Sequence, residues 1–328
     1  PAFQQTMKAT LSLEEIYAPV ASALDEVREV ADELWAEVLA LLNDHQLPSL
    51  STSGKLLRPA ICLLAAGATG AAHIEKMVPL SVSIEMLHLA ALAHDDVIDA
   101  AATRRGQRSL NAQWDNHIAV LGGDYLVARA MTLLGAYGSA PLLSMIVDTI
   151  RQMAEGELIS FGKGVDRYSE RDCLDLASRK TAALFAAACT GPTFLGDNVH
   201  RDRLRAFGLS LGMAFQLTDD ILDLTQAEET LGKPACGDLV EGRRTLPIIY
   251  MRERLSDKDQ LRLDSYQGAE LTTQDRRWVA DCLEKTGARS YTVEKARSFA
   301  DTARNTLEAL PPSSYRDSLE NLAGFVLV

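Results

Sequence analysis

The chain has 328 residues, of which 47% are hydrophobic and 24% charged, and its formal net charge is −12 at pH 7. This composition excludes an intrinsically disordered chain, and the acidic balance argues against nucleic-acid binding, which needs a basic surface to neutralise phosphates. A small phosphorylated substrate is still compatible with it, because carboxylates can hold such a substrate through magnesium.

Cysteine usage and the N-terminal segment bear on the compartment. The five cysteines include no CxxC pair, which argues against a zinc site, and their odd number argues against a disulfide framework. Residues 1–12 contain one lysine and no apolar core, so we expect no secretory signal. A reducing, cytoplasmic environment fits these features best.

The first predicted helix begins at Ser12. Ser12 and Glu15 are spaced as in a capping box, and apolar residues then recur every three or four positions, at Leu13, Ile16, Val20, Leu24, Val27, Leu34, Val38 and Leu41. Residues 43–54 are polar, and the sequence predicts a loop there. Ser169 with Asp172 is a second start signal. The remaining helices are predicted at about 57–70, 75–103, 118–138, 141–161, 170–190 and 202–226, and, after a Gly-rich loop at 226–245, at about 246–256, 273–286, 289–309 and 313–326.

Residues 130–147 carry no charge and need a membrane check. Gly135, Gly138 and Pro141 interrupt them, so a helix end, a turn and a new helix are the better interpretation, and we expect no membrane span. The central helices are apolar on nearly all sides, and such helices must be buried in a large bundle. No linker or strand-like alternation is visible. We therefore expect an all-α fold in a single domain over residues 1–328.

Two acidic clusters of the form D-D-x-x-D each end an apolar helix. They are Asp95, Asp96 and Asp99 after residues 86–93, and Asp219, Asp220 and Asp223 after residues 209–217. The first and last aspartates of each cluster share a helix face, where like charges destabilise the helix. Carboxylates beside an apolar core also lose hydration, and this loss must be offset by a bound cation or another partner. One such cluster would more often be a solvated helix end. Two facing clusters favour binding of several hard cations, and magnesium suits them.

Several basic residues near these clusters are candidates for binding phosphate. Lys55 and Arg58 lie at the start of a predicted helix, where the helix dipole favours anions. Arg104 and Arg105 follow the first cluster directly, and arginine binds phosphate through paired hydrogen bonds. Each of these residues alone would more often be a surface charge. The other candidates are His88, two turns before Asp95, Lys180 with Thr181 inside an apolar helix, and Lys233 in the Gly-rich loop.

In sequence and order these motifs resemble those of the trans-isoprenyl diphosphate synthases over nearly the whole chain. The matching segments are GKLLRP, EMLHLAALAHDDVID followed by RRG, GGDYLVARA, AEGEL, RKTAALF, FQLTDDILD and GKPACGDLVEGRRTLP. The resemblance implies a helical bundle of the isoprenoid synthase type around a central active-site cavity. It also implies a homodimeric prenyltransferase that condenses isopentenyl diphosphate with an allylic diphosphate to an all-trans polyprenyl diphosphate.

The resemblance further implies roles for individual residues. Several magnesium ions that bridge the allylic diphosphate would be bound by Asp95, Asp96, Asp99, Asp219, Asp220 and Asp223. The allylic diphosphate itself would be bound by Arg104, Lys180 and Lys233. Isopentenyl diphosphate would be bound by Lys55, Arg58, His88 and Arg105. Oxygen dipoles near the developing carbocation would come from Thr181 and Gln216, which with Lys180 form the catalytic set.

Three positions depart from the family pattern. Leu56 stands where the family often has a second basic residue, and Ala100 stands where an acidic or polar residue is common. Arg243 replaces a usual lysine. None of these departures removes one of the predicted metal ligands.

Product length depends on the helix before Asp95, along which the growing prenyl chain should run. Ala90 and Ala91 stand five and four residues before Asp95, where short-chain enzymes often carry an aromatic residue that stops elongation. A small side chain leaves room that Phe or Tyr would fill. We therefore expect a product of geranylgeranyl length or longer, with Leu87 as a further residue of the channel. The alternative is that the two alanines only permit close helix packing.

Three other functions compete with this interpretation. A terpene cyclase also uses a D-D-x-x-D helix and magnesium, but it needs no isopentenyl site, which Lys55, Arg58 and Arg105 would supply. A His-Asp phosphohydrolase is suggested by His94 beside Asp95, but such a site needs several metal-binding histidines, and the six in this chain are poorly spaced. A non-catalytic subunit of a heteromeric synthase would be expected to have lost acidic ligands, and both clusters are complete.

Overall fold

A computed structural model of the chain describes residues 11–42, 54–71, 73–99, 103–104, 107–109, 112, 115–162, 168–196, 199–226 and 235–327. For residues 103–104, 107–108 and 161–162 it describes the backbone alone.

Helices make up most of the described chain, which confirms the all-α prediction. In chain order they are α1 (Leu13–Tyr17), α2 (Ala21–Leu41), α3 (Leu57–Ala68), α4 (Val78–Ile98), α5 (Asn116–Gly135), α6 (Ala140–Gly162), α7 (Glu170–Ala177), α8 (Ala183–Thr190), α9 (Arg201–Thr225), α10 (Gly237–Val240), α11 (Leu246–Arg252), α12 (Asp257–Asp264), α13 (Thr273–Lys285), α14 (Ala288–Leu307) and α15 (Ser314–Phe325). Short 3₁₀ turns lie at Ala18–Val20, Ile74–Met77 and Gly191–Phe194, and a π-helical turn, Ser178–Ala182, joins α7 to α8. Two short strands, β1 (Thr103–Arg104) and β2 (Gln107–Arg108), pair antiparallel.

Both predicted helix starts have the expected caps. At Ser12 the backbone N–H of Glu15 donates to the Ser12 hydroxyl at 3.2 Å, and the Ser12 N–H donates to the Glu15 carboxylate at 2.7 Å. Ser169 and Asp172 form the same reciprocal pair at the start of α7. These bonds satisfy backbone donors that a helix start otherwise leaves unpaired, so they fix where each helix begins.

The predicted boundaries differ from the structure at several places. Pro19 divides the first predicted helix into α1, a 3₁₀ turn and α2, because proline has no N–H to donate. The helix predicted to reach residue 103 ends at Ile98, and the antiparallel pair of β1 and β2 follows it. The helix α12 was not predicted, although Ser256 caps its start by accepting from the Asp259 N–H at 3.3 Å. The short helix α10 lies within the predicted Gly-rich loop.

The centre of the fold contains α3, α4, α8 and α9. Every residue of α8 is buried, α4 packs along α5, and α9 packs along both α8 and α14. Two glycines allow α9 to approach its neighbours closely. A Cβ at Gly208 would lie 2.6 Å from the Cα of Ala186, and one at Gly212 would lie 2.6 Å from the Cα of Ala182. This close packing sets α9 directly against the π-helical turn.

Two helical segments, Ile74–Ile98 and Asn116–Gly135, are apolar and long enough to cross a membrane. This indication is weak, because the core helix of a soluble protein passes the same test. The apolar window of the first is 72% buried, whereas that of the second, α5, is only 28% buried. The uncharged residues 130–147 are divided as predicted, since α5 ends at Gly135 and α6 begins at Ala140. The consequence for the surface is that α5 exposes large apolar side chains, among them Val120 and Leu121.

Candidate active site

The first acidic cluster lies at the C-terminal end of α4. Asp99 is the C-cap of this helix, and its N–H donates to the backbone oxygen of Asp95 at 2.8 Å. Asp96 is buried, whereas Asp95 and Asp99 are partly exposed. Burial raises the pKa of Asp95, and the charges of Glu157 and Asp99 raise it further, while Lys180 and Arg243 oppose the shift. The end of α4 therefore concentrates negative charge that a cation would stabilise.

The second acidic cluster lies near the C-terminal end of α9. Asp220 and Asp223 are buried, and Asp219 is exposed. The side-chain amide of Gln216 donates to Asp220 at 2.8 Å. Burial is the main cause that raises the pKa of Asp220 to about 7, and the charges of Asp219 and Asp223 add to the effect, which the Gln216 hydrogen bond partly offsets. The end of α9 therefore also carries carboxylates, and a bound cation would stabilise their charged form.

The chain after α9 folds back over the second cluster. The N–H of Asp238 donates to the carboxylate of Asp223 at 3.0 Å, and the N–H of Cys236 donates to the backbone oxygen of Asp223 at 2.8 Å. From the turn after α10, the guanidinium of Arg243 then forms an ion pair with Asp99 on α4. It also contacts Glu241 at 2.9 Å and Asp238 at 3.6 Å. Arg243, noted in the sequence only as a departure from the family pattern, thus connects the second cluster to the first.

Lys180 and Thr181 lie on the π-helical turn. Such turns insert one extra residue into a helix, redirect its side chains, and often occur at functional sites. The ammonium of Lys180 forms an ion pair with Glu157 on α6. Gly156 permits this approach, because a Cβ there would lie 3.0 Å from the Cγ of Lys180. On the α9 side, the Thr181 hydroxyl donates to the Gln216 side-chain oxygen at 2.6 Å. The turn therefore brings the three predicted catalytic residues into one neighbourhood.

A cavity of about 390 Å³ lies between α4, α5, α6 and the π-helical turn. Its polar lining consists of His94, Asp95, Glu157 and Lys180. Its other lining residues are apolar: Leu87, Ala91, Ile98, Val127, Ile150, Met153, Ala154 and Leu158. Ala90 is buried in the core and is not among the lining residues. A larger, shallower groove of about 710 Å³ over α7, α9 and α14 contains none of the predicted site residues.

The sequence assigned no role to the α6 residues that line this cavity. Glu157 was part of the matching segment AEGEL, but nothing in the local pattern indicated that it would contact Lys180. Ile150 and Met153 lie on α6 at helical spacing from Glu157, and they are the same residue types that fill ordinary cores. Only the packing of α6 against the π-helical turn and α5 distinguishes them.

Those residues expected to bind isopentenyl diphosphate that the structure describes do not line this cavity. Lys55 and Arg58 flank Leu56, which is buried and has a left-handed backbone conformation (φ +46°) at the start of α3. The guanidinium of Arg58 lies 4.7 Å from the ring centre of Phe185, and the ammonium of Lys55 lies 5.5 Å from that of Phe325. Such cation–aromatic contacts orient both cations without neutralising them.

Other predicted residues are described incompletely. His88 is half-buried on α4, does not line the cavity and takes part in other interactions. Arg105 and Lys233 lie outside the described residues, and Arg104 is described only as backbone in β1.

The donor chemistry of the two clusters fits a hard divalent cation, because carboxylate oxygens are the ligands that magnesium and calcium prefer. Within the described residues, however, no three His, Cys, Asp or Glu side chains converge closely enough to hold a metal ion. Arg243 is paired with Asp99, the last aspartate of the first cluster. The carboxylates of the partly exposed Asp95 and the buried Asp220 both have raised pKa values and nevertheless fit a cation site.

Comparison with known proteins agrees with this geometry. The family model for polyprenyl synthetase matches residues 41–285. The chain is 36% identical to an all-trans-nonaprenyl-diphosphate synthase (geranyl-diphosphate specific) of Rhodobacter capsulatus, over 96% of this chain and 97% of that one. It is 34% identical to heptaprenyl diphosphate synthase component 2 of Geobacillus stearothermophilus, over 96% and 98%.

A solved structure has the same fold. It is a polyprenyl synthase of Caulobacter crescentus in complex with calcium and isoprenyl diphosphate, with a TM-score of 0.88, 32% identity, and coverage of 98% of this chain and 99% of that one. The chain therefore belongs to the polyprenyl synthetase family, and it is a transferase of prenyl groups.

Proposed function

We propose that this enzyme condenses isopentenyl diphosphate with an allylic diphosphate and releases an all-trans polyprenyl diphosphate of geranylgeranyl length or longer. The observation that carries the proposal is the cavity, which combines Asp95 and Lys180 with apolar walls that include Leu87 and Ala91. A prenyl diphosphate is divided in the same way into a charged head and an apolar chain. A pocket of this composition binds such a molecule in one orientation.

The proposed reaction begins with ionisation of the allylic diphosphate. When bound at the two aspartate clusters, magnesium would neutralise the leaving diphosphate. Lys180 binds the same diphosphate, and the oxygens of Thr181 and Gln216 stabilise the developing allylic cation. The cation then alkylates the double bond of isopentenyl diphosphate, and the released diphosphate accepts the proton that is lost. The apolar walls keep water away from the cation.

The proposed product length rests on the cavity wall. Ala91 contributes only a methyl group to the cavity wall, and the ring of a Phe at this position would occupy much of the space beside it. Since Ala90 does not line the cavity, Ala91 and Leu87 are the α4 residues that support the length argument. The two relatives above are named for nonaprenyl and heptaprenyl products, and their names support a product longer than a short-chain one.

We further propose a homodimer in which a second copy covers α5 and the exposed side of α6. Leu121 is 65% exposed and Leu158 is 73% exposed. Leu158 and the exposed Ile98 also line the cavity, so its outer edge consists of apolar groups that water would otherwise contact. One relative is named as a component of a synthase, so a different partner chain is the alternative occupant of this face.

The proposal is tested by incubating the purified protein with radiolabelled isopentenyl diphosphate, magnesium and, in separate reactions, dimethylallyl, geranyl, farnesyl and geranylgeranyl diphosphates. The dephosphorylated products are separated by chain length. Magnesium-dependent elongation to 20 carbons or more is the expected result. Conversion of an allylic substrate without consumption of isopentenyl diphosphate would instead identify a terpene cyclase. If no primer reacts, the result favours a non-catalytic subunit, and the next step is to search for a partner chain.

A further inference from the structure

We propose that Arg243 is a positioning residue that holds Asp99 in the cation-free protein, so that a divalent cation must displace its guanidinium to reach this carboxylate. The inference rests on the proposed metal site at the two aspartate clusters. It assigns a function to a residue that the proposed reaction does not use.

Backbone contacts fix the position from which the Arg243 side chain extends. Its N–H donates to the backbone oxygen of Asp238 at 2.7 Å. The preceding Gly242 has a left-handed backbone conformation (φ +75°), and a Cβ there would lie 2.6 Å from the side-chain carbon Cδ of Gln267. Only glycine fits this turn without strain, so the turn delivers the Arg243 side chain in a defined direction.

The contacts of Arg243 connect the last aspartates of the two clusters. Asp223 on α9 accepts from the Asp238 N–H at 3.0 Å. The Asp238 carboxylate lies 3.6 Å from the Arg243 guanidinium, which pairs with Asp99 on α4. A guanidinium therefore lies beside the carboxylate that the proposed site offers to a metal. A divalent cation that binds the same oxygen of Asp99 would be repelled by the guanidinium beside it.

The two side chains of this pair differ in exposure, and the difference favours displacement of the arginine by a cation. The Asp99 side chain is 17% exposed, whereas that of Arg243 is 40% exposed, so the arginine can turn toward water while the carboxylate stays in place. Glu241 contacts the guanidinium at 2.9 Å and continues to neutralise it after it leaves Asp99. A partly exposed ion pair is weak compared with the binding of a divalent cation. The ion pair with Arg243 thus keeps Asp99 in place, and it is weak enough for a divalent cation to displace the guanidinium.

The test measures Mg²⁺ and Ca²⁺ binding by titration calorimetry without any diphosphate. Arg243→Gln should bind the cation roughly five-fold more tightly than the wild type, as expected for removal of an ion pair of about 1 kcal/mol. The matched control is Arg289→Gln, which removes an arginine from an exposed pair with Glu284 at 2.8 Å. Its affinity should equal that of the wild type. Should Arg243→Gln not fold, Arg243→Lys keeps the charge, loses the planar fork and should bind about two-fold more tightly.

A second measurement separates the contact from the general field of a positive charge. The free energies of unfolding of the wild type, Asp99→Asn, Arg243→Gln and the double variant, all with a chelator present, give the coupling between the two side chains. The proposal requires a measurable favourable coupling and a gain in cation affinity. Zero coupling, or cation affinity that is unchanged or weaker in Arg243→Gln, overturns it. If the wild type binds no cation, the metal part of the proposed function fails and the displacement fails with it. The coupling then reports only whether the pair forms.

Discussion

The hydroxyl of Thr181 donates a 2.6 Å hydrogen bond to the side-chain oxygen of Gln216, across 35 residues of sequence. This bond fixes the amide of Gln216, whose nitrogen then donates to Asp220 at 2.8 Å. The π-helical turn and the second acidic cluster are thereby joined into one hydrogen-bonded chain. Any substitution that removes the Thr181 hydrogen bond should therefore change the position of the Gln216 amide beside Asp220.

Thr181→Val should lower kcat by about ten-fold, equivalent to roughly 1.4 kcal/mol, because it removes the bond that orients the Gln216 amide. Thr181→Ser keeps the hydroxyl and should retain most of the activity. Steady-state kinetics with isopentenyl diphosphate and a fixed allylic primer measure both variants. An active Thr181→Val beside an impaired Thr181→Ser would mean that the methyl group, and not the hydrogen bond, matters.

Ala91→Phe should shorten the product, since the ring would occupy the cavity beside Leu87. The product distribution is read from dephosphorylated, radiolabelled products. Ala36→Phe makes the same change at an exposed position of α2 and should leave the distribution unaltered. An unaltered distribution in Ala91→Phe would remove Ala91 from the chain-length argument.

Cation binding should release protons near neutral pH. The pKa of Asp220 is raised to about 7 in the cation-free protein, so part of its population is protonated there, and a cation favours the charged form. The heat of Mg²⁺ binding at pH 7 should therefore depend on the ionisation heat of the buffer. Asp220→Asn should lose most of this dependence, provided that it still binds the cation. A heat that is the same in all buffers would argue against a protonated Asp220.

The same group predicts how stability changes with pH when no cation is bound. Because the folded-state pKa of Asp220 lies above the unfolded value near 4, the folded protein binds the extra proton between pH 4 and 7. The contribution of Asp220 is therefore present below pH 4 and is lost as the pH rises toward 7. Denaturant unfolding in chelator should show that Asp220→Asn removes this decline. A decline that persists unchanged in the variant would assign it to other groups.

Gly212→Ala should destabilise the protein by roughly 1–3 kcal/mol, because the new methyl group would press on the backbone of Ala182 in the π-helical turn. It should also reduce kcat, since the turn carries Thr181. The control is Gly135→Ala on α5, where an added Cβ meets nothing within 4 Å and should be neutral or slightly stabilising. Thermal unfolding and kcat are measured for both variants. A stable and fully active Gly212→Ala would show that α9 can move away from the turn.

Leu121→Glu should dissociate the proposed homodimer, because it places a charge on the exposed apolar face of α5. Light scattering coupled to size exclusion measures the mass of the assembly. The control is Leu261→Glu on α12, where an isolated exposed leucine is expected to tolerate the change. A wild type that is monomeric at all concentrations would contradict the homodimer directly.

Helical spacing allowed the sequence to predict most of the helices, and the resemblance of its ordered motifs to those of the trans-isoprenyl diphosphate synthases indicated the family. These features are local, since a helix face needs only residues three and four apart, and a capping box needs only residues such as Ser12 and Glu15. The predicted boundaries were wrong where a local effect was underestimated, as at Pro19, or where a polar helix such as α12 gave only a weak apolar pattern.

The relationships that define the site were decided by the tertiary structure. Glu157 contacts Lys180 and Met153 lines the cavity because α6 packs against the π-helical turn, whereas Ala90 does not line the cavity. Arg243 reaches Asp99 from the turn after α10. Neighbouring alanines such as Ala90 and Ala91 look alike in the sequence, yet one faces the core and the other the cavity. Sequence spacing specifies which side chains share a helix face, but only the packing of helices distant in the chain specifies what that face meets.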